Sequence, residues 1–211
     1  MSKYVINLIK QGEHQTLDFK HSITDSKKIA RAIAAFANTD GGTLLIGVKD
    51  NGAIVGVDSE EEYYMIEAAA QMYCKPEIPF SITKWSVNGK AILEVVIKPS
   101  KKKPHKAPDK NGDFKAFVRF RDENLVATHI QLKIWKAEKH RQSLRLTLSE
   151  KEKALLDHFK ISPKITVGQF SRIAFISRID AENTLVDLTI LGLIRHVTTQ
   201  DEEYFQLKKE I

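Results

Sequence analysis

Three carboxylates are the first residues in this 211-residue chain whose types and spacing suggest chemistry. Glu13 and Asp18 stand five apart in GEHQTLDFKHS, and Asp50 ends the segment GVKD. Hard divalent cations such as Mg²⁺ and Mn²⁺ take oxygen ligands, and a metal held by converging carboxylates activates water for phosphodiester cleavage. A plainer assignment competes with this one. It gives Glu13 and Asp18 to solvated strand or cap positions and Asp50 to the turn Asp50-Asn51-Gly52. Lys20 and His21, close by in the chain, suit either assignment.

A second set is cationic. Lys98, Lys101, Lys102, Lys103, Lys106 and Lys110 crowd the segment KPSKKKPHKAPDKNGD, which reads as a mobile basic loop. Arg119 and Arg121 follow, alternating with Val118 and Phe120 so that both arginines share one strand face. Cations projecting along such a ridge, with Lys20 near the carboxylates, bind a phosphate chain and release its counterions, so affinity falls steeply with salt. A merely solubilising loop is the competing reading. The net charge is +6, and residues 84–145 hold 16 basic against 6 acidic side chains. That concentration attracts a polyanion, of which nucleic acid is the commonest.

Other chemistries lack their motifs. The glycines of NTDGG expose backbone N–H groups that suit a phosphate, but ending a helix is the favoured role for them. The chain has no G-x-x-x-x-G-K-[ST] and no G-x-G-x-x-G, so ATP or dinucleotide binding, and ATPase activity, have no support. The histidines show no metal-ligand spacing, and no nucleophile-elbow motif accompanies a serine.

The elements that must position these residues are legible in outline. Thr24 or Asp25 caps a helix carrying Ile29, Ile33, Phe36 and Ala37, which stops at residues 38–42. The apolar run 43–48 reads as a strand covered on both faces, and the turn at 50–52 leads into a strand over 53–57. A helix over 60–74 follows. Strands 80–87 and 90–97 flank the hairpin signal Asn88-Gly89, and a further strand spans 114–120. Thr128 caps a helix running to about residue 139. The tail reads as helices over 148–159, 167–175 and 177–193, then two short strands around TTQDEE, the order of a winged helix-turn-helix. The expected fold is mixed α+β, with a mainly antiparallel sheet and helices in a domain over 1–140 and a small winged helix-turn-helix domain over 141–211. The third tail helix offers Asp180, Glu182 and Asp187 beside Arg178, so dimerisation or partner contact is favoured there over DNA reading.

Composition is that of a globular protein, 42% hydrophobic and 28% charged. The lone Cys74 has no partner for an internal disulfide, no apolar run nears the roughly 18 residues of a membrane span, and the first residues lack a secretion signal. A cytoplasmic protein is expected.

GEHQTLDFKHS with IARAIAAFANTDGGTLLIGVKDNGAIVGV closely resembles the Schlafen/AlbA-like domain, over about residues 10–58. AILEVVIKPSKKKPHKAP and FVRFRDENLVATHIQL resemble its later strands and closing helix more loosely. The resemblance implies a mixed α/β nucleic-acid-binding domain, DNA before RNA, often joined to a winged helix in regulator-like bacterial proteins. Some vertebrate relatives cut RNA with three carboxylates that align with Glu13, Asp18 and Asp50. Asp18 stands where the family pattern has Glu, one methylene longer. The chain is thus expected to be a DNA-binding, regulator-like protein that needs no cofactor and forms a homodimer. One alternative is an RNase with Mg²⁺ or Mn²⁺ on Glu13, Asp18 and Asp50. Another is a protein-interaction module.

Overall fold

The computed structural model describes residues 2–57, 59–139 and 148–208. Two compact units divide between Val126 and Ala127. The expected boundary at 140/141 lies outside the described residues.

The first unit is built around one nearly immersed helix. Asp25 caps α2 (Ser26–Asn38), its side chain accepting from the Lys27 N–H at 2.8 Å. Beyond the first turn the helix is rich in alanine, and Ala32, Ala34, Ala35 and Ala37 let other elements approach closely on several sides. Two sheets do so. A four-stranded sheet orders β1 (Leu17–Lys20), β2 (Gly42–Ile46), β4 (Lys90–Ile97) and β3 (Phe80–Val87), with β1 parallel to β2 and the other pairings antiparallel. A smaller antiparallel sheet joins β5 (Lys106–Pro108), β6 (Phe114–Phe120) and β7 (Glu123–Val126).

Strand β2 is covered on both faces, as its apolar run requires. Leu44 and Ile46 pack with α2, whereas Leu45 joins Leu17, Phe19 and Val5 on the opposite face. Val5 comes from α1 (Ser2–Gln11), and α3 (Ser59–Gln71) supplies Ile66, Ala69 and Ala70 to the α2 side. The Asn88-Gly89 hairpin forms with both residues at positive φ, 51° and 76°, the geometry that suits the twist of the flanking strands. At 50–52 the turn also forms, but residues 53–57 contribute only the single bridge Val48↔Ile54 rather than a strand.

The paired glycines after α2 are set by close approach. A Cβ on Gly41 would lie 2.7 Å from the Ile97 carbonyl oxygen, and one on Gly42 would lie 2.4 Å from the Phe36 ring. Asn38, just before them, is 2% exposed. Its carboxamide donates to the carbonyls of His105 (2.8 Å) and Phe117 (2.9 Å) and accepts from the His105 N–H (2.8 Å). The basic segment beyond β4 is therefore anchored rather than mobile. Ser100 N–H adds a bond to the Ala37 carbonyl, and Lys75 and Lys106 exchange backbone bonds.

The second unit runs α4 (His129–Glu138), α5 (Glu150–Ile161), β8 (Lys164–Ile165), α6 (Val167–Ile173), α7 (Arg178–Ile190), β9 (Ile194–Thr198) and β10 (Glu203–Leu207). Its antiparallel sheet is ordered β8-β10-β9, and its core gathers Leu155, Phe170, Leu185 and Phe205 with Ile134 of α4. Mixed α+β architecture with predominantly antiparallel sheets thus holds for both units. Among the described residues no helix is long and apolar enough to cross a membrane.

Asn38→Ala orphans three buried backbone groups at once, each costing roughly 1–3 kcal/mol when left unpaired. Urea denaturation should register a loss of about 3 kcal/mol or more; a loss under about 0.5 kcal/mol would mean that water replaces the carboxamide freely.

Candidate functional site

Glu13 and Asp18 come together, and they bring their own cations. Strand β1 points Leu17 and Phe19 into the α1 face, which leaves Asp18 and Lys20 on the opposite face. Asp18 is 3% exposed; its Oδ1 lies 3.1 Å from a guanidinium nitrogen of Arg119, and its Oδ2 lies 2.8 Å from the Lys20 ammonium. Lys20 also stands 3.9 Å from Glu13 Oε1, which accepts the Phe19 N–H at 2.8 Å. Burial, followed by the hydrogen bond with Asp18, pushes the Glu13 carboxyl up to about 7, against the lowering effects of the Phe19 N–H and Lys20. Near neutrality Glu13 is therefore protonated for much of the time.

Asp50 does not join them in a metal-binding group. It sits exposed on the turn after β2, and among the described residues no three Asp, Glu, His or Cys side chains are grouped to hold a metal ion. With both Asp18 oxygens already facing cations, the carboxylates present do not fit a divalent ion, and no hydrolytic step follows from them.

Arg119 is not a surface contact, and this corrects the expectation that it shares an exposed strand face with Arg121. It is 3% exposed, and its guanidinium meets Asp18, the Asn124 side-chain oxygen (3.2 Å) and the carbonyls of His14 and Leu17 (both 3.4 Å), over the Phe36 ring at 5.1 Å. Its terminal nitrogens are spent on these partners and its Nε, though unpartnered, is buried, so the group is closed off from a phosphate chain at the surface. Removing one member of such a buried pair typically costs about 3–5 kcal/mol, because the other charge stays desolvated. Arg121 lies one residue past β6 at φ 55°, in the turn to β7. Its exposed side chain is set by that turn rather than by strand alternation. Lys20, held between Asp18 and Glu13, is likewise committed to the fold.

The loop lysines are different. Lys101, Lys102, Lys106 and Lys110 are exposed and Lys103 is half-buried; none has an ion-pair partner among the described residues. Their segment is held by His105, itself 2% exposed. The Pro76 carbonyl can only accept, so His105 Nδ1 carries the proton (2.8 Å) and Nε2 accepts from the Ser100 hydroxyl (2.7 Å). Burial, reinforced by the nearby charges of Lys102 and Lys103, lowers the His105 pKa against the raising effect of the Pro76 carbonyl, which keeps the ring neutral.

Two positioning residues escape a reading that looks for charge. Asn38 ties the lysine segment to α2 and β6. Gln15 donates to Asp40 (2.9 Å) and to the Arg119 carbonyl (2.9 Å) and accepts from the Arg121 N–H (2.8 Å), binding the GEHQTLDFK segment to the β6–β7 turn. The available signal was an amide residue closing an otherwise apolar helix at FANTDGG. Such a residue is costly to bury without partners.

Residues 13–128 match the family model described as Schlafen, AlbA_2. The chain belongs to this family. Among solved structures it is similar to the DIP2311 protein of Corynebacterium diphtheriae, at 18% identity and TM-score 0.44, over 71% of this chain and 33% of that one. It is also similar to the N-terminal domain of an ATP-dependent DNA helicase RecG-related protein of Nitrosomonas europaea, at 23% identity and TM-score 0.37, over 59% of this chain and 94% of that one. The chain spans about one third of the length of the C. diphtheriae protein.

The raised Glu13 pKa fixes the sign of a pH effect. The folded state holds its proton more tightly than the unfolded chain, so this contribution to stability is fully present below about 4.5 and is lost as pH rises from there through about 7. Glu13→Gln keeps the acceptor for Phe19 and supplies a permanent donor toward Asp18. Thermal denaturation should show the variant matching wild type at pH 5 and exceeding it at pH 8 by on the order of 1 kcal/mol, a figure reduced for solvent screening. Parallel pH profiles would contradict the raised Glu13 pKa.

Proposed function

We propose that this chain is a nucleic-acid-binding protein, DNA-binding and regulator-like, whose first unit holds a phosphate backbone on the anchored segment Lys101, Lys102, Lys103, Lys106 and Lys110, with the exposed Arg121 as a further cation. The observation that carries the reading is the combination of cations without carboxylate partners and a backbone pinned by Asn38 and His105. An anchored loop loses less entropy on binding than a mobile one, so more of its Coulombic gain appears as affinity. Membership of the Schlafen, AlbA_2 family supports the same reading.

The second unit is proposed as a winged helix serving partner contact or dimerisation. Support comes from the order of its elements and from the start of α7, where Ile179 is exposed and Asp180 accepts the Ser177 hydroxyl. Glu182 pairs with Lys133 (3.5 Å) of α4 and lies within hydrogen-bond distance of the His129 ring (3.2 Å). The face is neither strongly basic nor rich in amides, unlike the usual recognition helix.

Fluorescence anisotropy with labelled duplex DNA and RNA tests the assignment. Wild type should bind DNA with a steep salt dependence. Joint replacement Lys101→Glu, Lys102→Glu and Lys106→Glu should weaken binding at least about tenfold and reduce the slope of log K against log salt by about 2–3. The same type of charge change at Lys153 should do neither. Unaltered binding in the triple variant, no retention at low salt, or RNA cleavage in Mn²⁺ that Asp18→Asn abolishes would each overturn the proposal.

A further inference from the structure

Beside the lysine segment lies a cavity of about 750 Å³, bounded by the α3–β3 connection and the residues that follow β4. That volume falls within the roughly 300–1,000 Å³ typical of small-molecule sites. Its two walls differ in chemistry. One, from the α3–β3 connection, is mostly apolar and presents Ile78, Pro79 and Phe80 with the carboxylate of Glu77. The other brings Lys98, Lys101 and Lys102, whose ammonium groups have no carboxylate partner among the described residues. Ser100 and His105 also line it, already satisfied by each other and by the Pro76 carbonyl. They define the shape of the cavity without competing for a ligand's donors.

Inorganic phosphate would use only the lysines, leaving the proline and phenylalanine surface idle. A purely apolar ligand would strand three ammonium groups. A ligand with a phosphate at one end and a flat ring at the other uses both walls. We propose that the cavity binds one nucleoside monophosphate unit, its phosphate on Lys98, Lys101 and Lys102 and its base against Pro79 and Phe80. Glu77 adds selectivity. A carboxylate accepts the exocyclic amine of cytosine, whereas uracil flanks its single ring N–H with two carbonyl oxygens that repel it. The inference deepens the nucleic-acid reading, because the same segment supplies the cations.

Calorimetric titration of the full chain at low salt with CMP, UMP, cytidine and inorganic phosphate tests it. CMP should bind at least about tenfold more tightly than cytidine, phosphate or UMP. Phe80→Leu keeps an apolar side chain against the core but removes the ring; it should weaken CMP about tenfold while leaving inorganic phosphate unchanged. Glu77→Gln should erase the preference for CMP over UMP, and Lys98→Ala with Lys102→Ala should weaken CMP and phosphate together. Displacement of CMP by a 5′-phosphorylated tetracytidylate assigns the cavity to a strand end, and failure to displace assigns it to the free nucleotide; either supports a nucleotide site. CMP binding no tighter than phosphate, or indifferent to Phe80→Leu in a variant folded by circular dichroism, overturns it. If duplex DNA still binds wild type in that event, only the cavity assignment falls. Loss of duplex binding by wild type, with CMP bound as expected, overturns the wider function and leaves the cavity standing.

Discussion

The carboxamide of Asn38 is the constraint on which the first unit turns. One buried side chain satisfies three backbone groups belonging to two separate segments, the residues entering β5 and the middle of β6. Without it, the stretch after β4 would run beside the core with unpaired peptide groups, which buried backbone does not tolerate. With it, a lysine-rich segment that composition alone marks as loose becomes part of the folded surface. His105 extends the same device, since its neutral ring bridges the Ser100 hydroxyl and the Pro76 carbonyl. Protonation of that ring would remove the acceptor for Ser100 and add positive charge beside Lys102 and Lys103, so its lowered pKa and the order of the loop depend on each other.

The charges of the unit fall into two populations with different consequences. Glu13, Asp18, Lys20 and Arg119 face one another in and beside the interior, where each charge answers another. They join β1 to β6 over the Phe36 ring and leave little field outside. The lysines of the 98–110 segment have no such opposition and remain available to a polyanion. Counting both populations together inflates the binding surface. Separating them shows why an acidic pair suggestive of metal chemistry and a basic segment suggestive of phosphate binding have different roles in one domain.

Much of this was legible in the sequence, and the boundary has physical causes. Helix α2, its Asp25 cap and its stop, the doubly covered β2, and the Asn88-Gly89 hairpin follow from local propensity and periodicity. The FANTDGG motif also carried the family. The exposure of Arg119 was misread because strand alternation says which face a side chain takes, not which face is buried; that depended on Asp18, one hundred and one positions away. The anchored segment was read as mobile because lysine and proline disfavour regular structure, while its anchor lies far upstream at Asn38. Arg121 left the strand face because a left-handed turn intervenes. The short β5, β7 and β8 are too brief to establish a period, whereas helix α1 was overlooked although Val5, Leu8 and Ile9 recur at helical spacing on its packed face.

Hydrogen exchange of the free protein, read at individual amides, tests the central claim that the lysine segment is held rather than loose. The Ser100, His105 and Lys106 amides, bonded to Ala37, Asn38 and Lys75, should exchange orders of magnitude more slowly than unstructured chain. Exchange of these three at the rate of an open loop, with β2 and β4 protected, would contradict it.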